Sequence, residues 1–299
     1  MESLSANDAV KLLIHFTNEN NKGEFYRVAN EYLQSLSFNG RNWGQIKSVL
    51  NRRPMEMLTL DQLPKNIKAL ISTQEQSEEF VYLNPSIESM IDDIIFEWKN
   101  KDVYKSHNLG IRNKILLHGL TGNGKTTIAR NIAKVSKMPF VEVRSEMIID
   151  SKLGSTGQNI SSLLNSIKEP CILFWDEIDT IGKKRSSVSD NSASHENDRM
   201  VNTILVSLDK MANDVIFIGA TNRLDVLDDA FLRRFDIKFE VGNPTHKEKE
   251  MFLDGLFKYY NVPKSEINLT SLVNFSEIKD KVIQICRNYV INLIKKNIH

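Results

Sequence analysis

The sequence predicts an α/β protein, a parallel sheet covered by helices on both faces, with helical units at either end. Three observations carry that reading. The stretch Gly119-Leu120-Thr121-Gly122-Asn123-Gly124-Lys125-Thr126 separates a short apolar run, Lys114-Ile115-Leu116-Leu117-His118, from a helical one, Thr127-Ile128-Ala129-Arg130-Asn131-Ile132-Ala133. Further apolar runs follow at 140–143, 172–175, 215–218 and 237–241, with helix-like segments between them. Continuous apolar strands that alternate with helices belong to parallel sheets buried on both faces. Gly242-Asn243-Pro244 then breaks the alternation, and the rest of the chain is helical in pattern.

The elements follow in order. Residues 1–52 read as a small helical domain: Ala9, Leu12, Leu13 and Phe16 recur at i, i+3, i+4 and i+7. Phe25, Val28, Ala29, Tyr32, Leu33 and Leu36 repeat the pattern up to Asn39-Gly40, and Trp43, Ile46 and Leu50 suggest a third helix. These stripes are the inside of a bundle, with a peptide-binding groove as the lesser alternative. Residues 53–77 hold Pro54, Pro64 and many polar side chains and read as a linker. A second unit spans 78–242. Within it Val81-Tyr82-Leu83 suits a short strand, Asn84 caps a helix that has Pro85 at its first position, and Ile87, Met90, Ile91, Ile94, Ile95 and Trp98 mark the helix's buried face. The last unit, 243–299, opens on the capping box Thr245-x-x-Glu248 and places Phe252, Leu256 and Tyr259 on one face. Asn261-Val262-Pro263 stops that helix, and a final one carries Ile278, Val282, Ile285, Cys286 and Tyr289. Ser186–Ser194 is the one low-complexity stretch and reads as a mobile loop.

Composition excludes several classes. Basic residues number 39 against 38 acidic, so there is no global charge argument for nucleic acid or membrane as partner. No apolar run reaches membrane-spanning length, and the polar start Met1-Glu2-Ser3 is no signal peptide. Cys171 and Cys286 lie far apart, form no metal motif and suit buried thiols in a reducing cytoplasm.

Gly119–Thr126 fits G-x-x-x-x-G-K-[ST], a loop whose backbone N–H groups cradle phosphates. Lys125 would reach the β- and γ-phosphates of ATP, the Thr126 hydroxyl would hold Mg²⁺, and the helix from Thr127 would offer its anion-favouring N-terminus. Phe174-Trp175-Asp176-Glu177 is an apolar strand that ends in two carboxylates. Asp176 fits Mg²⁺ binding, and Glu177 fits the general base that polarises the attacking water. Asn222, after the run that ends Gly219-Ala220-Thr221, would orient that water near the γ-phosphate. Arg233 and Arg234 precede the last strand and read as an arginine finger offered to a neighbouring subunit.

This set of motifs, with Asp176-Glu177-Ile178-Asp179, Ala220-Thr221-Asn222-Arg223 and Leu227–Asp236, resembles the AAA ATPases of the AAA+ superfamily over roughly residues 78–299. The resemblance implies a five-stranded αβα sandwich, a helical C-terminal lid and a ring oligomer, usually a hexamer, with ATP between subunits. It also implies remodelling or unfolding of a protein substrate by pulling on it in a central pore. The helical N-terminus, the linker and the paired arginines without Pro-Gly between them are similar in layout to small bacterial AAA ATPases paired with a subtilisin-like serine protease in phage defence. They are also loosely similar to the severing and membrane-remodelling group. Two departures stand out. Lys152-Leu153-Gly154 occupies the place of the aromatic pore loop, and Ser276-Glu277-Ile278 stands where the superfamily's second sensor arginine would be. The second pore loop falls at 186–194, next to His195 and Glu196, and Arg287 reads as a surface residue.

The leading expectation is thus a cytoplasmic, ATP-hydrolysing ring that remodels a protein partner. The alternatives are a nucleotide-gated scaffold that switches a partner on and a DNA-loading ATPase, the latter disfavoured by the neutral charge balance.

Overall fold

The computed structural model describes residues 57–59, 63–73, 80–148, 155–181 and 192–297. Two compact units divide the chain, Met1–Met57 and Leu58–His299, and the second is described here. The helical domain expected at 1–52 and the pore-loop residues Lys152-Leu153-Gly154 lie outside the described residues.

The unit opens with helix α1 (Lys65–Ala69), strand β1 (Ile71–Thr73), α2 (Pro85–Lys99) and α3 (Lys101–Ser106). Strand and helix then alternate: β2 (Lys114–His118), α4 (Lys125–Ser136), β3 (Phe140–Val143), α5 (Ser145–Ile148), α6 (Ser155–Ser166), β4 (Cys171–Trp175), α7 (Ser192–Asp209), β5 (Val215–Thr221), α8 (Asp229–Leu232) and β6 (Ile237–Glu240). Helices α9 (His246–Tyr259) and α10 (Phe275–Asn297) form the lid.

The sheet runs β1-β3-β4-β5-β2-β6. From β3 to β6 it is the expected five-stranded parallel sheet, with β2 between β5 and β6: Leu117 faces Ala220 on β5 and Phe239 on β6. All five side chains of β4 and all seven residues of β5 are buried, as helices on both faces require. Each such Leu, Ile or Phe contributes about 1.5–3 kcal/mol of transfer free energy as an upper estimate.

Two expectations need correction. The sheet has a sixth strand, and it comes from the stretch read as a linker. β1 pairs antiparallel with β3, Ile71 opposite Val143 and Thr73 opposite Val141, and Arg144 N–H donates to Leu70 O at 2.8 Å. The physical reason is burial. Leu63, Ile67, Leu70 and Ile71 are all at most 7% exposed, and β1 satisfies backbone groups that β3 would otherwise leave unpaired. The second correction concerns Val81-Tyr82-Leu83, which joins no ladder. This segment runs along the lid instead: Phe80 stacks on Phe252 with ring centroids 5.9 Å apart, and Tyr82 meets Phe252 and Phe275 at 6.5 and 5.7 Å.

The capping predictions are met. Asn84 Oδ1 accepts from Ile87 N–H at 2.9 Å at the start of α2, and Ile87, Met90, Ile91, Ile94 and Ile95 are buried. Thr245 and Glu248 form the reciprocal capping box of α9. In the lid the buried stripe is Phe252, Leu253, Leu256 and Phe257 against Ile278, Val282 and Cys286. Tyr259 lies off that stripe, 47% exposed. Cys171 and Cys286 are free and buried, and burial pushes the Cys171 thiol far up from its ordinary pKa.

Candidate functional site

The loop from Gly119 to Gly124 joins the carboxyl end of β2 to the start of α4. Gly119 has φ 143°, and a Cβ there would stand 2.2 Å from Val241 O, so only glycine lets the loop pass this close to the end of β6. Gly124 is left-handed at φ 92° and turns the chain into α4. Lys125, the first residue of that helix, is 7% exposed. Its Nζ donates to Gly119 O at 2.7 Å, Leu120 O at 3.0 Å and Asn222 Oδ1 at 2.5 Å. Burial pulls the Lys125 pKa down, and Asp176 partly offsets this.

One residue on, the Thr126 hydroxyl donates to Asp176 Oδ2 at 3.2 Å, from the loop to the end of β4. Asp176 Oδ1 accepts from Glu177 N–H at 2.9 Å. Glu177 has left-handed backbone angles, φ 49° and ψ 45°, which cost free energy in any residue but glycine. Its side chain is exposed and has no hydrogen-bond partner among the described residues. The end of β5 is locked to the turn after β4: the Thr221 hydroxyl donates to Asp179 Oδ1 at 2.6 Å and accepts from Arg223 N–H at 2.9 Å. That lock fixes the backbone on both sides of Asn222, whose Oδ1 is already held by Lys125.

These groups share one cleft of about 340 Å³. Thr121, Gly122, Asn123, Gly124, Lys125, Thr126 and Thr127 line it together with Asp176, Glu177 and Asn222. Gly119 contributes its carbonyl to Lys125, while the Leu120 side chain points away and is 57% exposed.

Arg233 and Arg234 do not line this cleft. Arg234 donates from Nε and Nη2 to the two Asp209 oxygens, both at 3.2 Å, and from Nη1 to Ala230 O at 3.3 Å. Arg233 caps α8, is exposed, and has no side-chain partner among the described residues.

The cleft also has a second wall that sequence reasoning missed. It consists of Phe80–Asn84, Ile87, Phe252, Phe275, Ser276 and Lys279. Lys279 follows Ser276 by one helical turn, the only signal in the sequence that it would face the same way. Asn84 ties this wall to the lid, donating to Glu248 Oε1 at 3.0 Å. Burial raises the Glu248 pKa, but hydrogen bonds from the Thr245 backbone, the Thr245 hydroxyl and Asn84 outweigh it and hold the carboxyl below its ordinary value. Arg287 is exposed, as expected.

Comparison with known proteins agrees with this geometry. Residues 115–243 match the profile described as "ATPase family associated with various cellular activities (AAA)". The chain is 36% identical over 167 residues to an ATP-dependent zinc metalloprotease FtsH of Lachnoclostridium phytofermentans, which covers 54% of this chain and 29% of that protein. It is 29% identical over 248 residues to a proteasome-activating nucleotidase of Methanoculleus marisnigri, covering 79% of this chain and 59% of that one. It is 33% identical over 172 residues to the peroxisomal ATPase PEX6 of Dictyostelium discoideum, covering 55% and 14%. The chain spans less than two thirds of the length of each of these relatives. Among its described residues no helix is long and apolar enough to cross a membrane. With a loop that turns on Gly119, a lysine buried against neutral oxygens and a carboxylate pair at the end of the neighbouring strand, residues 115–243 form an ATPase domain of the AAA family.

Proposed function

We propose that this protein hydrolyses ATP as a ring, usually a hexamer in this family, and uses the cycle to remodel or unfold a protein partner. The observation that carries the chemistry is the convergence of Lys125, Thr126, Asp176, Glu177 and Asn222 in one cleft. The cleft fits ATP and Mg²⁺. Lys125 Nζ is a buried cation whose hydrogen bonds among the described residues all go to neutral acceptors, an arrangement that a phosphate completes. The Thr126 hydroxyl and the Asp176 carboxylate, 3.2 Å apart, are hard oxygen ligands of the kind Mg²⁺ takes. Bound Mg²⁺ supplies charge neutralisation on the phosphates.

The chain's own residues do the rest. The loop N–H groups and Lys125 hold the phosphates. Glu177, exposed and without a side-chain partner among the described residues, takes a proton from water. Asn222, anchored through Oδ1 to Lys125, has its amide N–H groups left to orient that water. Arg233, exposed and off its own cleft, would stabilise negative charge in the cleft of a neighbouring copy.

The names of the relatives, a metalloprotease and a proteasome-activating nucleotidase, support action on proteins bound for degradation. Delivery to a subtilisin-like serine protease in phage defence, in the cytoplasm, rests on domain layout alone. Copurification with a protease encoded beside it tests that part. ATP-dependent unfolding of a tagged protein substrate tests the main reading. Hydrolysis and ring assembly without unfolding would favour the nucleotide-gated scaffold, and salt-sensitive DNA binding would favour the DNA-loading alternative.

A further inference from the structure

Two contacts tie the phosphate-binding loop to the part of the chain that carries the lid. At the hinge between β6 and α9, Asn123 donates from Nδ2 to Val241 O at 3.3 Å and to Asn243 Oδ1 at 2.9 Å. On the lid itself, Ser276 N–H donates to Gly122 O at 3.2 Å, and the Asn274 side chain lies 2.8 Å from where a Cβ on residue 122 would stand. Asn123 is 3% exposed, and among the described residues its Oδ1 has no hydrogen-bond partner. A buried amide with an unpaired oxygen is costly, so an apolar side chain would fill this position at lower cost. What the amide supplies in return is its pair of bonds to the hinge. The hinge has room to turn: Gly242 and Asn243 are exposed, and a Cβ on Gly242 would meet nothing within 4 Å.

We infer that Asn123 and Asn243 form a hinge pin through which the phosphate-binding loop sets the position of the lid. They are positioning residues for nucleotide capture, not for the chemical step. The inference deepens the proposed ATPase reading and rests on it. Phe252, Phe275 and Lys279 ride on the lid, whereas Lys125, Asp176 and Glu177 stand on the sheet and the loop. A pinned lid presents both walls before nucleotide arrives, so less freedom is lost on binding. A released lid leaves the reacting groups in place, but each binding event must recapture the second wall.

The test uses the full chain with Asn243→Ala, a substitution at an exposed position outside the reacting groups. Steady-state ATP hydrolysis is measured. In parallel, the distance from the lid to the end of α2 is measured by spin labels at Lys99→Cys and Gln284→Cys, both exposed sites. The expected result is a KM for ATP raised about 3- to 10-fold, the scale of one net hydrogen bond, with kcat within about twofold. The distance distribution without nucleotide should broaden, and Asn243→Asp, which keeps the acceptor, should narrow it again. The double substitution Asn123→Ala with Asn243→Ala should raise KM by less than the product of the two single effects, because the bond between the two side chains is lost in either one, while the bond from Asn123 to Val241 O is lost only with Asn123. An unchanged KM with an unchanged distance distribution overturns the pin, as does a loss of kcat at constant KM or full additivity of the two substitutions. If the nucleotide reading itself is wrong, Lys125→Ala will bind ATP as tightly as the unaltered chain. The distance readout in the absence of nucleotide does not depend on that outcome.

Discussion

Replacing Glu177 by Gln removes a proton acceptor and little else. The side chain has no hydrogen-bond partner among the described residues and is exposed, so the isosteric amide breaks no contact. The backbone N–H that holds Asp176 Oδ1 at 2.9 Å is unaffected. ATP binding, which rests on Lys125 and the loop, should therefore stay near its original level. Turnover should fall by the contribution of a general base, about 10²–10⁴-fold, or about 3–5 kcal/mol of barrier. The assay pairs phosphate release under saturating ATP with equilibrium binding of a fluorescent ATP analogue. A companion substitution, Glu177→Gly, separates chemistry from strain. The residue sits at φ 49° and ψ 45°, where a non-glycine residue pays about 1–2 kcal/mol. Glycine removes that cost but adds about 0.4–1 kcal/mol of unfolded-state entropy. The Gly variant should thus be inactive yet melt at the same temperature or up to a few degrees higher. Undiminished hydrolysis by Glu177→Gln, or a clear drop in Tm for Glu177→Gly, would refute the reasoning.

Lys125→Ala should abolish tight ATP binding in a calorimetric titration, because among the described residues no other buried cation stands at the loop. Arg233→Ala should cut turnover steeply, since such a finger is worth about 10³–10⁵ in rate, and mixing it with Lys125→Ala should restore part of the activity. Arg234→Ala should mainly lose its surface pair with Asp209, a change of at most about 1 kcal/mol in a melting curve. Gly255→Ala would drive a Cβ to 2.0 Å from Phe80 Cζ, so denaturant unfolding should show a loss of about 1–3 kcal/mol as the segment of residues 80–84 is displaced from the lid. Glu248 has a depressed pKa in the folded chain, so its stabilising effect is full above the ordinary carboxylate value and fades as pH falls through the depressed one. Glu248→Gln should be less stable near neutral pH by about 1 kcal/mol, and the gap should close in acid.

Much of the site was readable because its residues are close in sequence and their chemistry demands their types. Gly119–Thr126 and Asp176-Glu177 each lie within one turn or one strand end. An apolar run before each of them is enough to place it at the carboxyl edge of the sheet. What could not be read depends on contacts across long stretches of chain. β1 is three residues long, too short for any periodicity to show, and its reason for being a strand is the edge of β3 some 70 residues later. Val81-Tyr82-Leu83 has the composition of a strand, but the aromatic surface of Phe252 and Phe275 captures it first. Asn123 was readable as part of the phosphate-binding loop, but its bond to Asn243, 120 residues on, was not.

The two arginines show how local geometry sharpens what a motif leaves ambiguous. Without a Pro-Gly between them, they are consecutive at the end of α8, and Arg233 still has helical angles of φ −70° and ψ −16°. Neighbouring residues on a helix point about 100° apart, so the two side chains leave this backbone in different directions. Arg234 folds back on Asp209 with two bonds of 3.2 Å and on Ala230 O, contacts that hold α8 to the end of α7. Arg233 is exposed beside it. If a single finger acts across the ring, the partition of contacts assigns the reach to Arg233 and the anchoring of the helix that presents it to Arg234. Arg233→Ala should then lose turnover without losing stability, and Arg234→Ala should loosen α8 before it affects rate.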